Sequence, residues 1–248
     1  MPFKLEICSY DLVSALLAQE AGAHRIELCA GPAEGGTTPG PGTIRVARER
    51  LHIDLYPIIR PRGGDFLYSD EEYDTMRKEV AYCKQVGCNG VVIGLLNADG
   101  TIDKRRAAQL VELAYPLGVT FHRAFDRAIN PFEALEDIIS IGCERILTSG
   151  QRPTALEGAV LINELVRQAD DRIIIMPGSG VRADNILHLA EKTDANEFHT
   201  SARTAVHSVM EYVNDAMKED LSAVRVDREE VEKIIGILAA RDHQSLSS

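Results

Sequence analysis

GVVIGLLNADGTIDKRRAAQLVELAYPLGVTFHRAFD (90–126) holds one complete repeat of the chain's pattern. It opens on an apolar, β-branched run, GVVIGLL (90–96), passes through a stretch with helical spacing (103–116), and returns to a second run, GVTFHRA (118–124). Short β-branched runs read as buried strands and longer amphipathic stretches as helices. Strand, helix, strand in that order predicts a parallel pair joined by a right-handed crossover. The same unit recurs on both sides. The predicted strands are 4–9, 24–30, 54–60, 90–96, 118–124, 145–150, 173–178 and 196–201; the predicted helices are 11–22, 41–51, 69–86, 103–116, 131–141, 155–169, 183–192 and 228–240. Eight β/α units in 248 residues predict an α/β fold, a TIM (β/α)8 barrel spanning residues 1–248 as one domain. A doubly wound open sheet is the main alternative.

Local chemistry supports the helix boundaries. Ser69 precedes Asp70, Glu71 and Glu72, an N-cap before an acidic first turn. Asn130 caps Pro131. Gly22, Gly87, Gly118 and Gly142 stand where left-handed residues stop helices. Two segments break the rhythm: the loop GPAEGGTTPGPG (31–42), and residues 203–227, read as a long irregular or helical insertion with an extra helix around 207–217. The tail beyond about Arg241 is expected to fray.

Composition excludes several partners. The chain has 27 Lys+Arg against 38 Asp+Glu, a net charge of −11, so its long-range field repels nucleic acid and anionic membrane. No run approaches the roughly 20 apolar residues of a membrane helix, and MPFKLEICSYD (1–11) lacks the features of a secretory signal. A cytoplasmic location is expected. Cys8, Cys29, Cys83, Cys88 and Cys143 then read as reduced thiols.

Barrel chemistry collects at the carboxyl ends of strands, and polar residues gather there. Glu6 and Cys8 share one face of the first strand, and Glu27 and Cys29 repeat the arrangement on the second. Arg60, Arg62 and Asp65 follow the third strand; His122, Arg123 and Asp126 follow the fifth; Glu197 and His199 share a face of the eighth, followed by Thr200 and Ser201. Glu6, Glu27, Arg60 and Arg123 are expected to meet around the mouth, as a structural ion-pair network or as part of a site. In PGSGV (177–181), Gly178, Ser179 and Gly180 would bring backbone N–H groups toward an oxyanion, with the next helix N-terminus near Asp184 and Ser201 nearby. The bland reading of this motif is a tight turn. Cys8 and Cys29, at equivalent places on adjacent strands, would suit a soft ion such as Cu(I); the bland reading is two small buried hydrophobes.

LEICSY (5–10), RIELCAGPAEGGTTPG (25–40), PIIRPRGGDFLYS (57–69), VTFHRAFD (119–126), RILTSGQ (145–151) and GSGVRADNI (178–186) together resemble the CutC family of copper homeostasis proteins, over about residues 3–202. The resemblance implies a cytoplasmic TIM barrel, a homo-oligomer (dimer or tetramer), with Cu(I) held by Cys8 and Cys29. The segment 203–227 departs from the family pattern. Two functions follow. One is a metal-handling protein whose site is the cysteine pair. The other is an enzyme (lyase, isomerase or hydrolase) acting on a small phosphorylated or carboxylated metabolite. There Glu6, Glu27, Arg60, His122, Arg123 and His199 would be catalytic, and Arg62, Gly178, Ser179, Gly180 and Ser201 would bind the anion.

Overall fold

Why the strands face two ways is visible in their alternation. Leu5, Ile7, Ile26, Leu28, Leu55, Val91, Ile93, Val119, Phe121, Ile146 and Phe198 point outward and form one continuous core with the helices. The residues between them point inward, where Cys8, Cys29, Tyr56, Ile58 and Val92 form a separate small cluster. Period two with both faces buried is the signature of a barrel strand. A computed structural model describes residues 3–245. Its parallel strands are β1 (Lys4–Ser9), β2 (Arg25–Leu28), β3 (Asp54–Pro57), β4 (Gly90–Ile93), β5 (Gly118–Phe121), β6 (Arg145–Thr148), β7 (Ile174–Pro177) and β8 (Glu197–Thr200).

The strands form two ladders, β3–β2–β1–β8 and β4–β5–β6–β7. One seam is closed where Ile58 bridges Val92 and the Ile59 N–H donates to the Val92 carbonyl at 2.8 Å. At the other, β7 lies beside β8. The helices are α1 (Leu12–Glu20), α2 (Pro41–Arg50), α3 (Asp70–Val86), α4 (Lys104–Ala114), α5 (Pro131–Ile141), α6 (Ala159–Ala169), α7 (Ile186–Thr193) and α8 (Arg228–Ser245). The TIM barrel expected from the sequence is the fold found.

The caps explain the boundaries. Ser69 and Glu72 form a reciprocal capping box at α3. The Asn130 carboxamide accepts from the Phe132 and Glu133 N–H groups before Pro131. Gly87 and Gly142 end their helices in the left-handed region. Gly118 differs from expectation: it opens β5, and the place of a Cβ there is taken by the Tyr56 hydroxyl and the Glu144 carboxylate. Five of the eight strands (β2 to β6) also end two or three residues earlier at the carboxyl side than the apolar runs suggest, and β7 and β8 one residue earlier, because the chain turns out of the ladder to aim polar side chains. His122 shows the cause. Its Nδ1 accepts from the Ala124 N–H at 3.1 Å and starts a 3-10 turn, Arg123–Arg127.

Residues 203–227 are not helical around 207–217. They form an antiparallel hairpin, β9 (Arg203–Val206) and β10 (Ala223–Val226), whose connection holds a single 3-10 turn, Asp215–Met217. Val209, Met210, Tyr212 and Val213 are exposed on that connection, so the apolar residues that suggested a helix are not packed into the core. Beyond Arg241, α8 continues to Ser245. Residues 246–248 lie outside the described part.

Candidate functional site

The barrel interior is charged at its base. Arg25 donates to Glu6 at 2.5 Å and to Glu197 at 2.7 Å; Arg145 donates to the same Glu197 oxygen at 2.7 Å and to Glu144 at 2.8 Å. Both guanidiniums lie over the Tyr56 ring, at 5.3 and 5.7 Å. Arg25, Arg145, Glu6 and Glu197 are all buried, and two cations match two anions. Burial alone would raise the Glu6 carboxyl, but Arg25, His199 and Arg145 outweigh it and hold the group well below the usual carboxylate range. Glu197 is likewise lowered: Arg145 and Arg25 overcome its burial.

The pairs differ from those expected. Glu6 meets Arg25 and His199, not Arg60 or Arg123. Arg60 donates to the carbonyls of Glu34 (2.6 Å), Gly36 (2.7 Å) and Gly64 (3.0 Å) and lies over the Phe66 ring, strapping two loops together. Arg123 is held by Asp126 at 2.7 Å and Ser149 at 2.8 Å. Arg62 pairs with Glu72 and Asp65 and does not line the central cavity. Arg25 and Arg145 are the first residues of β2 and β6, at the opposite end of the strands from the polar residues expected to form the site. The signal was present, since Arg25, Glu27 and Cys29 alternate along one face.

Above that base sit the two cysteines. Their sulfurs are 3.5 Å apart, and the Cys29 Sγ is 3.5 Å from Glu27 Oε2. Ligand atoms of Cys8, Glu27 and Cys29 all lie within 4.8 Å of one another. His199 completes the cluster: its Nδ1 is 2.8 Å from Glu6 and its Nε2 3.8 Å from Glu27. The Cys8 thiol is pushed well below its ordinary range, chiefly by the hydrogen bond from Cys29, with His199 adding to it against burial. Burial opposes charge on His199, yet Cys8 and Glu6 hold it well above the usual imidazole range. Burial and the nearby Cys8 raise both Glu27 and Cys29. The directions favour charge on Cys8 and His199 and oppose it on Cys29 and Glu27, so the surroundings bias the pair toward one thiolate next to an imidazolium.

Cys8, Glu27 and His199 line a cavity of about 290 Å³ at the carboxyl ends of the strands. Arg60, His122, Arg123, Ser179, Gly180 and Ser201 line it too, so most of the candidate residues share one hollow. Glu6 lies beneath His199, and Gly178 borders the hollow, where a Cβ would meet His199 and Leu147. Tyr10, Phe66, Arg182 and Arg203 are lining residues that sequence reasoning did not single out. α7 begins at Ile186, two residues after Asp184, and in the turn before it the Arg182 N–H donates to the Asn185 carboxamide and the Ala183 N–H to the Glu230 carboxylate, both at 2.9 Å.

His122 is buried, with its Nδ1 occupied by the Ala124 N–H. The ring proton therefore sits on Nε2, which has no partner among the described residues. Burial and Arg60 push its pKa down to about 3, so the ring is a neutral donor.

A solved structure from Streptococcus agalactiae, named for a proposed copper homeostasis protein CutC, superposes with a TM-score of 0.77 at 32% identity, covering 80% of this chain and 98% of that one. Phosphoribosyl anthranilate isomerase from Thermotoga maritima shares the fold at 14% identity, with a TM-score of 0.60 over 96% of this chain and 99% of that one. Curated relatives named family protein CutC are 50% identical in Chromobacterium violaceum (92% of this chain, 98% of the relative) and 49% in Parabacteroides distasonis (93% and 98%). The family profile described as CutC family matches residues 3–204, and on these grounds the chain belongs to the CutC family.

Proposed function

We propose that the protein binds Cu(I) as cargo, in copper homeostasis, and that Cys8 and Cys29 are the ligands. The observation that carries this reading is the sulfur pair, 3.5 Å apart on the inner barrel wall. Thiolates are soft donors that select Cu(I) over harder ions. Cys8 is already biased toward thiolate, so little protonation free energy opposes loading there. Glu27 lies within the same cluster and supplies a hard oxygen, a secondary donor for a soft ion. The name of the Streptococcus agalactiae relative points the same way. All five cysteines are free thiols, in keeping with a reducing compartment such as the cytoplasm. No helix among the described residues is long and apolar enough to cross a membrane.

The test is anaerobic Cu(I) titration of the reduced protein against a chromophoric chelator. The reading expects Cys8→Ser/Cys29→Ser to lose at least about a hundredfold in affinity, as expected when both soft ligands are removed. Equal affinity in the parent and the double variant rejects this site.

A further inference from the structure

The mouth carries more hydrogen-bond donors than two thiolates can use. Among the described residues, the N–H groups of Ser179, Gly180 and Val181 find no acceptor, and neither does that of Ser201. The backbone is bent to present them: Ser179 has φ +83° and Gly180 φ +72°. A non-glycine residue held left-handed costs about 1–3 kcal/mol and persists where the surroundings enforce it. Here the Ser179 hydroxyl donates to the Pro153 carbonyl at 2.8 Å and its carbonyl accepts from the Ala155 N–H at 3.0 Å. Those bonds fix the peptide so that its N–H is left for something else.

Charge follows the same pattern. In a chain of net charge −11, the cavity lining contains four arginines, Arg60, Arg123, Arg182 and Arg203, against one carboxyl, Glu27. Arg123 and Arg182 are paired behind the wall with Asp126 (2.7 Å) and Glu230 (3.1 Å), whereas Arg203 makes no ion pair among the described residues. His122, whose buried Nε2–H is unpartnered, lines the same cavity, and the Arg60 Nε is also unpartnered.

We propose that the hollow whose wall Cys8 shares is also a site for a small phosphomonoester, held by groups other than the thiol pair. Its phosphate would sit on the wall built by Ser179–Val181 and Ser201–Arg203. Its organic part would reach His122. A terminal phosphate accepts several hydrogen bonds on three oxygens, which four N–H groups and a guanidinium supply; a carboxylate would leave donors unmet. The loops after strands seven and eight are where barrels of this class hold phosphate. The volume of about 290 Å³ lies at the small end of ligand pockets and suits a few-carbon ester. Ile58 and Phe66 offer apolar wall for the carbon chain, and His122 offers one donor for a hydroxyl or carbonyl oxygen. The site does not depend on the copper reading.

Isothermal titration of the full chain with glycerol 3-phosphate, inorganic phosphate, glycerol and acetate tests it. Saturable binding of both phosphates is expected, with the ester tighter and neither glycerol nor acetate bound. Arg203→Ala, at an exposed position, should weaken both phosphates at least about tenfold. His122→Asn should weaken the ester and spare inorganic phosphate, with circular dichroism confirming its fold. Cys29→Ser, at a position that does not line the cavity, should bind both as the parent does, which separates phosphate binding from the thiol chemistry. No saturable binding of either phosphate overturns the proposal. So does acetate binding as well as phosphate, or phosphate affinity unmoved in both Arg203→Ala and Ser201→Asp.

Discussion

Cys8 stands opposite Glu27 in the ladder between β1 and β2, and Cys29 lies two residues further on. Barrel strands are staggered, so residues matched by motif position are offset by register. The two sulfurs therefore meet on a diagonal, and their surroundings differ. Cys8 lines the cavity and is biased toward thiolate, whereas Cys29 is covered and biased toward thiol. Thiolate character and access control alkylation. Iodoacetamide at neutral pH should modify Cys8 well before Cys29, read by peptide mass spectrometry. Faster labelling of Cys29 would contradict this asymmetry.

Arg25 is the hinge of the buried charge network. Removing it takes away the cation that buried Glu6 and Glu197 share, leaving Glu6 with His199 alone and Glu197 with Arg145. Breaking one partner of a buried pair typically costs about 3–5 kcal/mol. Arg25→Met keeps the stem and should lower the unfolding free energy by about that much in urea titrations. A loss below about 1 kcal/mol would mean that water or relaxation compensates the carboxylates.

The same network sets the response to acid. Glu6 and Glu197 are held below their ordinary value of 4.5 in the folded protein, so the unfolded chain takes up their protons first. Their stabilisation is complete above 4.5 and is lost as pH falls through the lowered folded values. Glu27 acts in the other window, because its raised folded value adds stability as pH falls toward 4.5 and none below it. Urea unfolding across pH 7 to 3 should show stability dropping below about 4.5. In Glu27→Gln the drop should persist while the change above 4.5 shrinks. A parent whose stability is flat through the acid range would remove the paired-carboxylate account.

How much of this was legible follows from what each residue obeys. The eight strands could be read because both of their faces are buried, which makes the apolar runs continuous. Glu27, His122 and His199 could be placed at one mouth because strand ends converge in a barrel. The partners could not be read, since register and stagger decide them. Glu6 sits beside Arg25 and His199 through ladder pairs on either side of β1, and nothing in their spacing along the chain encodes that. Arg60 shows a second limit. It looks like a charge clamp in sequence, yet it spends its N–H groups on three loop carbonyls that only the folded chain brings together.

Gly94 makes room for His122. A Cβ at position 94 would fall on the imidazole ring and close to the Ala124 side chain. Overpacking of this kind typically costs about 1–3 kcal/mol. Gly94→Ala should lower stability by that amount and swing the ring out of the cavity. The His122 ring resonances in proton NMR report the displacement. Unshifted resonances in a variant of unchanged stability would show that the ring has slack.

Gly36 closes the loop over the deeper thiol. Its φ of +100° lies where side chains rarely go, and a Cβ there would stand 3.4 Å from Cys29 Sγ and 3.5 Å from Ile58 Cδ1. The neighbours are held in turn: the Gly36 carbonyl accepts from buried Arg60, and Ala30 and Thr37 pair across the loop. Gly36→Val therefore combines backbone strain with a wedge against the sulfur. Stability should fall by about 1–3 kcal/mol. If copper reaches the pair past this loop, stopped-flow loading with Cu(I) should also change, because the loop can no longer settle over Cys29. Cys8 keeps its place on the cavity wall, so the variant should retain slow loading, where Cys8→Ser/Cys29→Ser retains none. Identical loading kinetics in Gly36→Val and the parent would place the copper entry route on the other side of the pair, through the cavity alone.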